Sequence, residues 1–439
     1  MDYREFFFKN NFLKVFLIFL IALSYYRSPF IFINGRFFSG DLTYHLLSSN
    51  LSFFDSLTYV DFSPRYINLI SNISSLISSR LFDLKHAQYV SVYLCFLIYL
   101  RIFYQILFKN SYLFKKNYQK YLGALIFLVA PVMSFEIWLN VINLQVYLGI
   151  LGLVILFLKE EENNYIDYFL LIIGALSGIY VCLLTPLFFL KYFVKKNLSN
   201  LICFLILFFC SLIQFVLIFY YSMKVNPIEV IGSSSLTLNN TSLTLSLSKF
   251  EVISYYYNVV IRSFIGSSIP IYLMNFFEIN LSSTFFNEYH KNSLFIFSIT
   301  SLIVLIFSSL FFFISIDSKK EKLIYLSFII LFIFVSLVVI FGGDTHSLHG
   351  RYASLPGIVL IFSFLYLSNE SKIKWVRLFS LFLITLTIVS GLIDFRYKKF
   401  INYLDCINCP NWSEEVRKYK LDKNYKPKNW PYHKQYLSN

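Results

Sequence analysis

Charged residues are scarce in this chain: Asp, Glu, Lys and Arg make up 14% of its 439 residues, whereas 57% are apolar. A soluble domain carries charge on about a quarter of its residues, so an ordinary water-soluble fold is excluded. Cysteine is also rare, with six in the chain. Four of them lie in apolar runs, where a thiol behaves as a small hydrophobic side chain. No disulfide framework follows.

The chain contains many long apolar segments. A helix needs about 20 apolar residues to cross the roughly 30 Å of hydrocarbon in a bilayer. Candidate spans lie at residues 12–33, 88–108, 121–138, 141–158, 201–222, 293–316, 323–341, 352–367 and 378–393. The first is too long and too aromatic for a removable signal peptide, so we expect a permanent membrane helix there.

Residues 165–193 are predicted to form a hairpin of two short helices. Gly174 and Gly178 interrupt the segment midway, and a proline lies in its second half. Lysines flank both ends, with Lys159 before the segment and Lys191 at its end. Because lysines favour the cytoplasmic side, the two ends are expected on that same side.

The excess of Lys and Arg, 38 against 24 Asp and Glu, gives a net charge of +14. On a soluble protein this charge would suggest nucleic-acid binding. In a membrane protein the excess of Lys and Arg indicates the topology instead, because loops rich in these residues stay in the cytoplasm. With a cytoplasmic N-terminus and the hairpin counted as two helices, the chain has about eleven spans with basic cytoplasmic connections.

This arrangement predicts an all-α polytopic helix bundle. Its transmembrane domain covers residues 1–393, with outer loops at 35–87, 223–292 and 342–351. A basic tail, residues 394–439, follows on the outer side, where charges far from the membrane count for little. Residues 255–277 either lie along the membrane surface or span it, which would invert the later topology.

Ionisable residues are rare inside the predicted spans. Arg101 lies near the cytoplasmic end of its span, and we interpret it as snorkelling to the surface. The scarcity of acids and histidines at membrane depth argues against an ion-coupled transporter, which usually needs such a residue there.

The first outer loop holds the main catalytic candidate, Asp41, directly after the first span. A carboxylate held at the membrane surface could accept a proton from an acceptor hydroxyl while a lipid-linked substrate approaches through the bilayer. The alternative is a structural role, in which Asp41 caps a helix over residues 42–47. The spacing leaves both hypotheses open.

Several segments together resemble the membrane-embedded glycosyltransferases of the GT-C type. They are the long first outer loop with its early Asp41, the hairpin with Gly174-Ala175-Leu176-Ser177-Gly178, and Arg351-Tyr352 beside a later helix start. A poorly characterised bacterial branch is more similar still, through Gly35-Arg36-Phe37, Pro64-Arg65, Asn143-Leu144-Gln145 at a helix start, and the tail around Cys409-Pro410-Asn411-Trp412. The chain departs from many members in lacking a second acid beside Asp41 and in having Ile179 where they carry lysine.

The resemblance implies a location in the inner membrane of a bacterium and transfer of a sugar from a polyprenyl phosphate to a saccharide or lipid acceptor at the outer face. Asp41 would be the general base of a single, inverting displacement. Cationic side chains would stabilise the leaving phosphate. The substrate-binding candidates of the two outer loops are Arg36, His45, Asp61, Arg65, His346, His349, Arg351 and Tyr352.

Neither a metal nor another cofactor is expected, and no nucleic-acid partner. Two histidines and Asp344 on a short loop make a weak metal site. Cys406 and Cys409 have no second pair to complete a zinc site, so a local disulfide and free thiols both stay open. Two other functions also stay open: a transporter or flippase for lipid-linked saccharides, and a polymerase or ligase of envelope polysaccharide.

Overall fold

The computed structural model describes residues 3–60, 65–130, 137–224, 308–342, 351–396, 411–422, 425 and 427. This part of the chain consists of α-helices, one short 3-10 helix and three isolated β-bridges, without a strand. The predicted all-α class is confirmed.

The helices are α1 Tyr3–Arg27, α2 Pro29–Ile33, α3 Ser39–Asn50, α4 Phe53–Leu57, α5 Leu69–Leu81, α6 Leu84–Phe108, α7 Asn117–Val129, α8 Leu144–Leu156, α9 Tyr165–Ala175, α10 Ile179–Cys182, α11 Thr185–Lys195, α12 Leu198–Lys224, α13 Lys319–Gly342, α14 Arg351–Glu370, α15 Lys374–Asp394 and α16 Trp412–Leu421.

Three helices in the described ranges are long and apolar enough to cross a membrane: α6, α12 over Leu198–Tyr221, and α15. These helices are consistent with a membrane protein. The count of about eleven spans is not confirmed. In particular, α7 and α8 have 13 residues each, about 20 Å of helix, which is too short for a full crossing. Most of the span predicted at 293–316 lies outside the described residues.

The hairpin is present, and its bend is sharp. Helix α9 and the helical segment Ile179–Lys195 meet at 117° across a short break. Helix α9 starts with a capping box between Asn164 and Asp167, which satisfies amides that the first turn leaves free. The two ends of the hairpin come back together, because Lys195 Nζ lies 3.0 Å from a carboxylate oxygen of Glu160.

The chain divides into two compact units. The first comprises residues 1–112, 135–222 and 396–439, so residues 411–422 of the predicted tail lie in the same unit as the first loop. In that unit Trp412 of α16 is 1% exposed, packs edge-on against Phe37 and donates a hydrogen bond to the carbonyl of Leu84 at 3.1 Å. A core of Phe37, Leu42, Ala87, Trp412 and Val416 results.

The second unit comprises residues 113–134 and 223–395. Its described helices α7, α14 and α15 pack closely, and Gly391 makes this possible. A side chain at position 391 would collide with the backbone carbonyl of Val129. Lys115 links two helices of this unit by ion pairs of 2.8 Å to Glu321 and 3.1 Å to Glu370.

Candidate functional site

The first loop folds as three helices, α3, α4 and α5, beside the start of α6. Helix α5 is unusual in burying a polar face, which contains Ser71, Asn72, Ser74, Ser75 and Ser78. Buried hydroxyls need hydrogen-bond partners, and these link the helix to its neighbours. Ser74 lies 3.1 Å from Ser91 of α6, for example.

Asp41 lies in the first turn of α3 and is 4% exposed. Its two carboxylate oxygens accept hydrogen bonds from the backbone amides of Val141, at 3.2 Å, and Ile142, at 3.0 Å. Gly40 permits this contact, because a side chain there would collide with that of Ile142. The hypothesis that Asp41 caps a helix at residues 42–47 is wrong: α3 begins at Ser39, and the carboxylate binds a segment a hundred residues away.

Burial raises the pKa of the Asp41 carboxyl to about 7. The loss of hydration disfavours the charged form and outweighs the opposing hydrogen bonds from the two amides and the Ser91 hydroxyl. A group with this pKa changes its protonation near neutral pH. That property is the one a general base requires.

His45 lies one helical turn after Asp41 and is also buried. Burial lowers its pKa to about 4, so the ring is neutral at physiological pH. Its Nδ1 lies 2.8 Å from the hydroxyl of Ser78, which itself donates to the carbonyl of Ser75 at 3.1 Å. A neutral His45 packed against Phe37 is a poor partner for a phosphate.

The segment bound by Asp41 is also held by the second half of the first loop. The Ser71 hydroxyl donates to the carbonyl of Val141 at 3.2 Å. The Tyr66 hydroxyl donates to the side-chain oxygen of Gln145 at 3.0 Å. Helix α8 starts at Leu144 with Asn143 as its N-cap, as expected for the Asn-x-Gln pattern.

The hairpin tip and α12 meet the same part of the loop. Gln214 of α12 accepts the amide hydrogen of Ile67 at 3.1 Å and donates to the carbonyls of Ile67, at 3.0 Å, and Ala175, at 3.1 Å. The amide of Ile70 donates to the Ser177 hydroxyl at 2.9 Å. We call residues 66–71, 140–145 and 175–178 together with Gln214 the polar junction.

The polar junction contains irregular backbone beside a membrane-type helix. Gln214 lies about 24 Å along α12 from Leu198, within its apolar length. Irregular backbone at membrane depth is tolerated only where protein or a water-filled cavity surrounds it. Such places are commonly substrate or ion sites in membrane proteins.

Two strained residues flank the polar junction. Arg65 has a φ of 57° and precedes Tyr66, and Leu139 has a φ of 49° and precedes Asn140. Positive φ is unfavourable for residues other than glycine, and such strain concentrates at functional sites. Arg65 was selected from sequence as a phosphate-binding candidate, and its backbone places it at the edge of this junction.

Four of the predicted site residues, Asp41, Arg36, His45 and Arg65, lie in the first unit. Arg36 is 1% exposed and Arg65 is half-buried. Asp61, His346 and His349 lie outside the described residues, as do Cys406, Cys409 and residues 255–277. Arg351 and Tyr352 begin α14 in the second unit.

The sequence-based candidates omit Arg27, a buried cation in the same unit. Arg27 ends α1, is 4% exposed, and its guanidinium lies 4.5 Å from the centre of the Trp138 ring. Tyr99 packs edge-on against the same ring. The sequence did indicate Arg27, because an arginine inside a predicted membrane span is by default a functional candidate.

The interpretation of Arg101 as a snorkelling residue is wrong. Its guanidinium forms a 2.6 Å ion pair with Asp167, whose side chain is fully buried. Gln105 donates to the same carboxylate. Asp167 lies in the first turn of α9, so this pair leaves the predicted scarcity of acids at membrane depth as a prediction.

Within the described ranges, no group of three or more His, Cys, Asp or Glu side chains is arranged to hold a metal ion. Comparison with known proteins adds no constraint, since no family model, curated protein or solved structure matches the chain. The chemistry therefore has to be argued from the site itself.

Proposed function

We propose that the protein is a membrane glycosyltransferase that moves a sugar from a polyprenyl phosphate to a saccharide or lipid acceptor at the outer face of a bacterial inner membrane. The observation that carries the proposal is Asp41, a buried carboxyl with a pKa of about 7 beside the polar junction. A base with this pKa is half deprotonated at neutral pH and can still accept a proton.

In this reaction Asp41 accepts the proton of the acceptor hydroxyl as that oxygen attacks the anomeric carbon of the sugar. The bond from that carbon to the phosphate oxygen breaks, and its electron pair leaves with the polyprenyl phosphate. Arg36 and Arg65 of the first unit are the proposed phosphate contacts. The two amides and the Ser91 hydroxyl occupy three of the four lone-pair positions of the Asp41 carboxylate, which leaves one position for the incoming proton.

The test is transfer by the purified full-length protein in lipid nanodiscs, with a panel of synthetic polyprenyl-phosphate sugars and an envelope-lipid extract as acceptor. Release of polyprenyl phosphate and gain of mass by the acceptor are both measured. We expect transfer from at least one donor, and a loss of at least a hundredfold in Asp41→Asn. Asp55→Asn is the matched control, because Asp55 is an exposed acid of the same loop.

Asp41→Asn also disturbs the hydrogen bonds to residues 141 and 142, so lost activity alone does not prove proton transfer. The pH profile separates the two roles. A base with a pKa near 7 makes the wild-type rate rise as the pH increases through neutrality. If Asp41→Asn keeps a measurable rate, that rate should not rise over this pH range. A flat wild-type profile contradicts the assignment.

A flippase or transporter for lipid-linked saccharides is the second candidate, because the basic outer loops would serve it without a catalytic carboxylate. Movement of a fluorescent polyprenyl-phosphate sugar across vesicle membranes, without release of its sugar, would support this function instead. A polymerase or ligase is recognised by its product, because it yields long chains or transfers preassembled ones.

A further inference from the structure

An apolar groove of about 450 Å³ runs along the first half of α6. Val90, Tyr93 and Leu97 of α6 form one wall, and Phe32 of α2 and Ile77 of α5 contribute to the other. The volume falls within the roughly 300–1,000 Å³ that ligand sites in proteins occupy. The groove lies wholly within the first unit and does not include Asp41 or the polar junction.

Hydrocarbon covers this face of the protein if α6 crosses the membrane. Helix α6 passes the length and hydropathy test for a span, while its groove residues Tyr93 and Leu97 are 51% and 61% exposed. An apolar groove open on such a face is filled by lipid chains rather than by water.

The length of the groove matches one leaflet of a bilayer. His86 lies at one end and Leu97 at the other, about 16 Å apart along a helix. One leaflet contributes half of the roughly 30 Å hydrocarbon core. The groove therefore accommodates a single chain of leaflet length, the kind that phospholipids carry.

Lys85, the neighbour of the lining residue His86, adds a positive charge near the end of the groove closest to the helix start. His86 and the adjacent Lys85 are exposed in the first turn of α6. The nearby acid, Asp83, is neutralised by an ion pair with Lys420 of α16 at 2.8 Å. A phosphate at the mouth therefore meets Lys85 and His86 beside an acid whose charge is paired with Lys420.

We propose that this groove is a binding site for one anionic phospholipid, with an acyl chain along α6 and the phosphate at Lys85 and His86. Phospholipids of the surrounding membrane outnumber any polyprenyl phosphate, so mass action favours them at a lipid-facing site. This site is separate from the proposed transfer reaction and does not depend on it.

Native mass spectrometry of the full-length protein in detergent tests the proposal, with phosphatidylglycerol and phosphatidylcholine of identical acyl chains as probes. We expect one preferentially retained phosphatidylglycerol, bound at least fivefold more tightly than phosphatidylcholine. Val90→Trp fills the groove and should weaken retention at least tenfold. Leu212→Trp places the same ring on an exposed face of α12 and should leave retention unchanged.

The charge variants provide a test that does not alter the groove walls. Lys85→Gln with His86→Gln should reduce phosphatidylglycerol binding to the level of phosphatidylcholine, whereas Lys14→Gln, which removes an exposed charge of α1, should not. Equal binding of both lipids by the wild type, or full retention by Val90→Trp, would overturn the proposal. Uptake of a polyprenyl phosphate in the groove to the exclusion of phosphatidylglycerol would also overturn it.

Discussion

Two buried carboxylates of the first unit are stabilised in different ways. At the base of the hairpin, Asp167 is fully buried and binds the guanidinium of Arg101 at 2.6 Å. Beside the polar junction, Asp41 takes its hydrogen bonds from the amides of Val141 and Ile142. A full positive charge balances the first acid, whereas amide dipoles balance the second only in part, and the pKa of Asp41 rises to about 7. The first arrangement suits a structural link, and the second suits a group that exchanges protons.

The largest effect is expected from removing the cation that balances Asp167. Arg101→Met leaves a buried carboxylate without its ion-pair partner, which costs about 3 to 5 kcal/mol. Arg101→Met combined with Asp167→Asn should recover a large part of this loss. The free energy of unfolding in mixed micelles measures both. Equal stability of Arg101→Met and the wild type would show that the pair contributes nothing.

A smaller effect is expected at Asp41. In Asp41→Asn one carboxylate oxygen becomes an NH₂ group that faces a backbone amide, so a buried donor is left unsatisfied at a cost of about 1 to 3 kcal/mol. The exposed control Asp55→Asn should change the free energy of unfolding by less than about 0.5 kcal/mol. A loss in Asp41→Asn no larger than that of the control would remove Asp41 as an anchor of residues 141 and 142.

The pH dependence of stability separates Asp41 from its neighbour His45. The pKa of Asp41 is about 7 in the fold against 3.8 ordinarily, so the folded protein binds more protons between those values. Its contribution therefore makes the free energy of unfolding fall as pH rises from about 4 to about 7. For His45, with a pKa of about 4 against 6.5, the unfolded chain binds more protons, and stability rises with pH over about 4 to 6.5.

The two contributions oppose each other in the wild type, and variants should reveal each alone. His45→Gln should show a steeper fall in thermal stability between pH 4 and 7 than the wild type. Asp41→Asn should instead show stability rising with pH up to about 6.5. Identical pH profiles for the two variants would contradict both shifted pKa values.

The smallest effect is expected at the exposed ion pair of the tail. Lys420 and Asp83 are both about half exposed, and a pair screened by water contributes at most about 1 kcal/mol. Lys420→Gln should therefore leave α16 docked, since buried Trp412 holds it. Protection of the tail from limited proteolysis measures docking, and a cleavage rate raised more than about fivefold by Lys420→Gln would contradict this assignment.

The positions of three long helices were predictable from the sequence because apolar segments of membrane length mark them. Helices α6, α12 and α15 lie where such segments predict them. The hairpin was predictable from its central glycines and the lysines at both ends. The short α7 and α8 were not, because the apolar pattern continues through residues 137–141, where the backbone leaves the helix.

The candidate site was predictable only in part. Asp41 could be selected by its place after the first span, but its partners are backbone amides, which every residue carries and no sequence pattern marks. Gln214 and Asp167 did carry a signal, since polar side chains inside apolar segments demand partners. Their partners, Ile67 and Arg101, are far away in the chain and became apparent only in the fold.

The most direct test of the central claim is the titration of the Asp41 carboxyl itself. Carbon-13 NMR of the full-length protein labelled at the aspartate carboxyl carbons follows each group with pH, and Asp41→Asn identifies the signal by its loss. We predict a midpoint near pH 7. A midpoint near the ordinary value of about 3.9 would mean that Asp41 stays ionised at neutral pH as a structural anchor, and it would contradict the proposed base.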